Sequence, residues 1–167
     1  MKNELESFND LWERETAKTI KLLESLPRDG YDFRPDPEGR SLGPWHLAEE
    51  GYGSFGIERG GISSDPRPRG LHRPRTVEEL RPGFERIHHD AVERVKKLRP
   101  EELDRSITYF SGQPIAIRDV LWDFMLLHGI HHRGQLALLC RQSGGRPGCS
   151  GQRARRCRCE SRDGTRH

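Results

Sequence analysis

The residues with the clearest chemical potential are His128 and His132, four positions apart. On a helix, such residues share one face, with Cβ atoms about 5–6 Å apart. That is close enough for both imidazoles to bind one metal ion at about 2.0–2.1 Å. The spacing places them in an inward stripe that reads Leu121, Met125, His128, His132, Gln135, Leu139. The stripe is apolar at both ends and carries the two rings in its middle. Burying two uncharged imidazoles without partners is costly; a shared metal ion offsets that cost and accounts for their proximity. His131 points elsewhere. Arg133 and Gln135 are placed either to orient the ligands from behind or to serve as ordinary helix formers.

A third ligand is expected from a facing helix. His46, in Trp45-His46-Leu47 among apolar neighbours, is the best candidate. Glu49 or Glu50, about one turn further on, is a candidate fourth ligand or base. His88 and His89 are alternatives, but Ile87 and Ala91 mark the inward face of their helix, so that pair is expected to face solvent. Three neutral imidazoles leave coordination positions open, the catalytic pattern, whereas structural zinc sites are closed by four ligands. A metal so held lowers the pKa of bound water toward about 7 or deprotonates a thiol. Imidazole suits zinc, nickel, iron and copper alike, so the ligands do not choose the metal.

Four helical segments must position these residues. The first carries Leu5, Phe8, Trp12, Thr19, Leu23 and Leu26 at three- to four-residue spacing, with Glu15 and Thr16 at the gap, and Pro27 stops it. The second starts at Ser41, a good N-cap, and runs toward Ile57. Its glycines weaken it or let it approach a neighbour closely. The third opens with a Thr76/Glu79 capping box and steps through Val77, Leu80, Phe84, Ile87, Ala91, Val95 and Leu98. Pro82-Gly83 is expected to kink or delay it. Residues 104–117 read as an extended connection or a small hairpin. The fourth segment, Arg118 to Gln142, is the strongest helix, and Gly144-Gly145 breaks it. The fold class expected is all-α, a four-helix bundle with long connections.

Composition limits the function classes. The chain has 167 residues, 32% hydrophobic and 33% charged, which suits one domain. No apolar run approaches the roughly 20 residues of a membrane span. The N-terminus is too polar for a secretory signal, so a cytoplasmic protein is expected. The net charge of +3 is unevenly placed: residues 146–167 hold seven Arg against Glu160 and Asp163. Residues 1–145 are net acidic, so no nucleic-acid partner and no membrane partner is expected. No P-loop or dinucleotide glycine pattern is present. Cys140 lies in the body and Cys149, Cys157 and Cys159 in the last residues, which is no disulfide framework.

The run His128-Gly129-Ile130-His131-His132-Arg133-Gly134-Gln135-Leu136 resembles the signature of the DinB/YfiT-like family, and Trp45-His46-Leu47-Ala48-Glu49 resembles that family's first-histidine motif. The resemblance covers roughly residues 1–147. It implies a four-helix bundle holding a divalent metal near one end through His46, His128 and His132, with His131 as a non-ligand neighbour. It also implies a homodimer acting on a small-molecule substrate. Several members of the family are thiol-dependent transferases or isomerases that use bacillithiol or mycothiol.

Two features depart from the family pattern. Pro82-Gly83 falls where the family continues its third helix. Residues 146–167 contain no Val, Ile, Leu, Met, Phe, Trp or Tyr and a single Ala, so they are expected to be a disordered Arg/Cys-rich tail beyond a domain of residues 1–145. Their bias is that of GC-rich codons read out of frame, as in a frameshift or cloning scar. The functional alternative is a basic RNA- or membrane-touching tail. The expected function is that of a metal-dependent enzyme, a thiol S-transferase or hydrolase using zinc, nickel or iron. A non-enzymatic stress-response bundle with a structural metal is the rival.

Overall fold

The structure, a computed structural model, describes residues 2–38, 41, 49–62 and 74–147. Helix α1 spans Glu4–Leu23, α2 spans Glu49–Arg59 and α3 spans Val77–Val95. A small antiparallel hairpin follows, β1 (Ser106–Thr108) paired with β2 (Pro114–Ala116), in the register Ile107 opposite Ile115. The last helix, α4, covers residues 117–142 in three continuous stretches. Ile117–Asp119 is α-helical, Val120–Leu127 is π-helical, and His128–Gln142 is α-helical again. The expected onset of the second helix at residues 42–48 and the expected tail from residue 148 lie outside the described residues.

Local sequence accounts for the boundaries. Asn3 and Glu6 form a reciprocal capping box at the start of α1, at 2.8 and 2.9 Å. At α3 the expected box does not close. Thr76 is the N-cap but makes no side-chain bond, and Glu79 accepts instead from the backbone N–H of Arg75 at 2.7 Å. Nor does Pro82 delay α3, which begins at Val77 and runs through it. A proline six residues into the helix removes one backbone bond but leaves the orphan donors of the first turn untouched. Gly144, at φ +90°, terminates α4 as expected.

Helix α1 packs on α3 and α4, and α2 packs on the same two helices, so α1 and α2 lie on opposite corners of a four-helix bundle. Two apolar clusters fill it. One contains Phe8, Trp12, Ile57, Ala91, Val95, Ile117, Leu121, Met125 and Leu126. The other contains Leu22, Leu23, Leu26, Val77, Leu80, Phe84, Leu136 and Cys140. Gly53 makes the α2–α4 contact possible, since a Cβ there would overlap the Met125 side chain. This is the close approach that the glycine-rich sequence allows.

Between the clusters runs a belt of buried polar groups. On α1 they are Glu15, Thr16 and Thr19, between Trp12 and Leu22. On α2 the group is Glu50. On α3 it is His88, between Phe84 and Ala91, and on α4 it is His132, between Leu126 and Leu136. Each helix contributes to this belt, and the candidate site lies in it.

Candidate metal centre

His128 opens the α-helical stretch of α4 and His132 follows one turn later. Their ring centroids are 4.3 Å apart with planes at 43°. His132 is 8% exposed, whereas His128 is exposed. The inward stripe therefore differs from the one expected from the sequence. The buried positions are Val120, Leu121, Met125, Leu126, His132, Leu136 and Cys140, while His128 and Gln135 lie at the surface. The buried set still follows helical steps: Met125 and His132 are two turns apart, and Leu136 and Cys140 follow at steps of four, so the inward face is turned slightly from the expected one. The stretch Val120–Leu127 that precedes His128 is π-helical.

Gln135 orients both neighbouring rings. Its Oε1 lies 3.0 Å from His132 Nδ1, and its Nε2 donates to His131 Nε2 at 2.9 Å. The Gln135 amide thus lies against both rings, its oxygen toward His132 and its nitrogen toward His131. Gln135 makes these contacts from the exposed flank of α4. Arg133 is engaged elsewhere. It turns into the polar belt, donating to the Glu15 carbonyl at 2.9 Å and to Glu15 Oε2 at 2.5 Å. Partial burial, and then the charge of His131, push His128 below its ordinary pKa.

His46 lies outside the described residues, as does the side chain of Glu49. Among the described residues no three His, Cys, Asp or Glu side chains converge as a metal site. What the structure shows is two neighbouring imidazoles, His128 and His132, with the Gln135 amide against the His132 ring. Glu50 is buried, but its carboxylate is held by His88 Nδ1 at 2.7 Å. His88 itself corrects an expectation: it is 9% exposed and faces the core, while His89 faces solvent. Steps of 84–88–91 and 84–87–91 are both helical. Glu50 on α2, with Thr16 and Glu13 on α1, supplies polar partners to the ring at position 88.

A narrow cleft of about 30 Å³ runs behind the histidine turn, lined by Glu15, Thr16 and Glu50 opposite Gly129, Ile130 and Arg133. That is room for about one or two waters in a polar setting.

This architecture has counterparts. The profile of the DinB superfamily matches residues 11–136. The chain belongs to the DinB superfamily. A crystal structure of a DinB-like protein from Bacillus cereus is similar at a TM-score of 0.68 and 22% identity, covering 84% of this chain and 93% of that one. A DinB-like protein from Bacillus subtilis, YjoA, is similar at a TM-score of 0.66 and 22% identity, covering 83% and 92%. At that identity the likeness establishes the fold. No protein of curated function matches the chain.

Proposed function

We propose that this DinB-superfamily bundle binds a divalent metal through His46, His128 and His132 and uses it as an enzyme. The observation that carries the reading is the His128–His132 ring pair, 4.3 Å apart, with the Gln135 amide 3.0 Å from His132 Nδ1. A zinc, nickel or iron ion held there supplies Lewis acidity that lowers the pKa of a thiol or of water. The reaction class is therefore thiol S-transfer or hydrolysis, on a small-molecule substrate and with a low-molecular-weight thiol such as bacillithiol as co-substrate. Glu50 is committed to His88, which leaves Glu49 as the acidic helper near His46. The protein acts in the cytoplasm as a homodimer. Among the described residues no helix is long and apolar enough to cross a membrane.

A structural metal is the second reading, favoured by the burial of His132 between the two apolar clusters. His132→Ala separates the two. Elemental analysis of the purified wild-type chain is expected to give about one divalent ion per chain, and the variant none. Metal loss with a nearly unchanged Tm supports catalysis. Metal loss with collapse of the fold supports the structural role. Wild-type protein that binds no added zinc, nickel or iron refutes both.

A further inference from the structure

The buried Glu50–His88 pair takes no part in the histidine half-site, yet it joins three helices. His88 of α3 and Glu50 of α2 meet at 2.7 Å, each at least nine-tenths buried. From α1, Thr16 Oγ1 stands 3.3 Å from the same Nδ1, Glu13 Oε1 stands 3.6 Å from Nε2, and the Trp12 ring lies edge-on at 4.7 Å. On α3 itself Phe84 stacks at 6.2 Å. Arg133 of α4 lines the same cleft as Glu50 but is bound to Glu15.

The ring thus faces the buried Glu50 carboxylate and, at longer range, the solvent-exposed Glu13 carboxylate, with Trp12 and Phe84 packed against it. Burial pushes His88 toward the neutral form, but the bond and charge of Glu50, with the charge of Glu13, outweigh it and hold His88 above its ordinary pKa. The linkage follows directly. A histidine whose folded pKa is raised adds stability that is complete below its unfolded value, near 6.5, and lost as pH rises through the folded value. Once the ring is neutral, Glu50 is a buried carboxylate with only neutral hydrogen bonding from His88.

We propose that the Glu50–His88 pair is a pH-sensitive latch that holds the start of α2 against α1 and α3 and releases it as pH rises.

The test is amide hydrogen exchange on the full metal-free chain between pH 6 and pH 9, corrected for intrinsic rates. Wild type is compared with His88→Asn and Glu50→Gln. Asparagine keeps an N–H donor but cannot ionise. In wild type, protection across α2 should fall tenfold for each unit by which the latched pKa of His88 exceeds the released one. In either variant it should stay flat. An equal pH slope in wild type and His88→Asn overturns the latch, and so does an NMR titration placing folded His88 below 6.5.

Discussion

Arg133→Leu should expose how much the polar belt contributes to stability. Arg133 makes two bonds to Glu15, one to its carbonyl at 2.9 Å and one to its carboxylate at 2.5 Å. Lys18 holds the other carboxylate oxygen at 2.6 Å from the solvent side. A hydrogen bond to a charged group contributes about 1.5–3 kcal/mol and a neutral one about 0.5–1.5. Leucine restores part of the apolar contact, and Lys18 keeps the carboxylate partly paired. The loss therefore falls short of the roughly 3–5 kcal/mol of an orphaned buried charge. We expect about 2–3 kcal/mol, a Tm drop of roughly 5–10 °C for a domain of this size. Urea and thermal unfolding measure it. Adding Glu15→Leu should recover most of the loss, because an apolar pair replaces an ion pair at little cost.

The pH dependence is equally specific. Lys18's hydrogen bond, with the bond and charge of Arg133, holds the Glu15 carboxyl below the usual range in spite of burial. Its contribution is present above the unfolded value near 4.3 and is lost as pH falls through the folded value. The gap between wild type and Arg133→Leu should narrow in acid. A variant within about 0.5 kcal/mol of wild type at pH 7, or a gap that does not change down to the acid limit, would refute this reasoning.

Gly53→Ala and Gly56→Ala should both lower Tm even though alanine gains up to about 1 kcal/mol of helix propensity. Gly56→Ala should cost more, about 2 kcal/mol. Its Cβ meets β-branched Ile62, whose backbone is pinned to the Thr108 carbonyl at 2.7 Å, whereas Gly53 meets a flexible Met125. A rise in Tm for either, measured by calorimetry, would count against the packing described. On the metal reading proposed above, Gln135→Leu should weaken divalent-metal binding by about 10–100-fold. The metal-free Tm should hardly change, since Gln135 is exposed and, among the described residues, bonds the local rings of His131 and His132. Chelator competition reads the affinity, and unchanged binding would mean that Gln135 does not orient a ligand.

The helices were legible in the sequence because apolar spacing and strong stops agree on them. Leu5, Phe8, Trp12, Leu23 and Leu26 are all buried as their spacing predicts. The hairpin was legible from its β-formers around Ser111-Gly112, where Gly112 takes φ +80°. Phase was harder. Position 88 and position 87 fit α3 equally well, and only partners on α1 and α2, far away in sequence, favour His88. The placement of His128 is the same kind of ambiguity, since steps 125–128–132 and 125–129–132 are both helical. Nothing in Val120–Leu127, an aliphatic and aromatic run with Asp123 its only charge, marks the π-helix locally.

The placement of the two rings bears on the proposed function. His132 is buried in the polar belt and His128, one turn earlier, meets solvent, while their centroids stay 4.3 Å apart. Under the metal reading proposed above, one anchored and one accessible ring suit an open coordination site better than a sealed one, because substrate must reach what the second ring would help to hold.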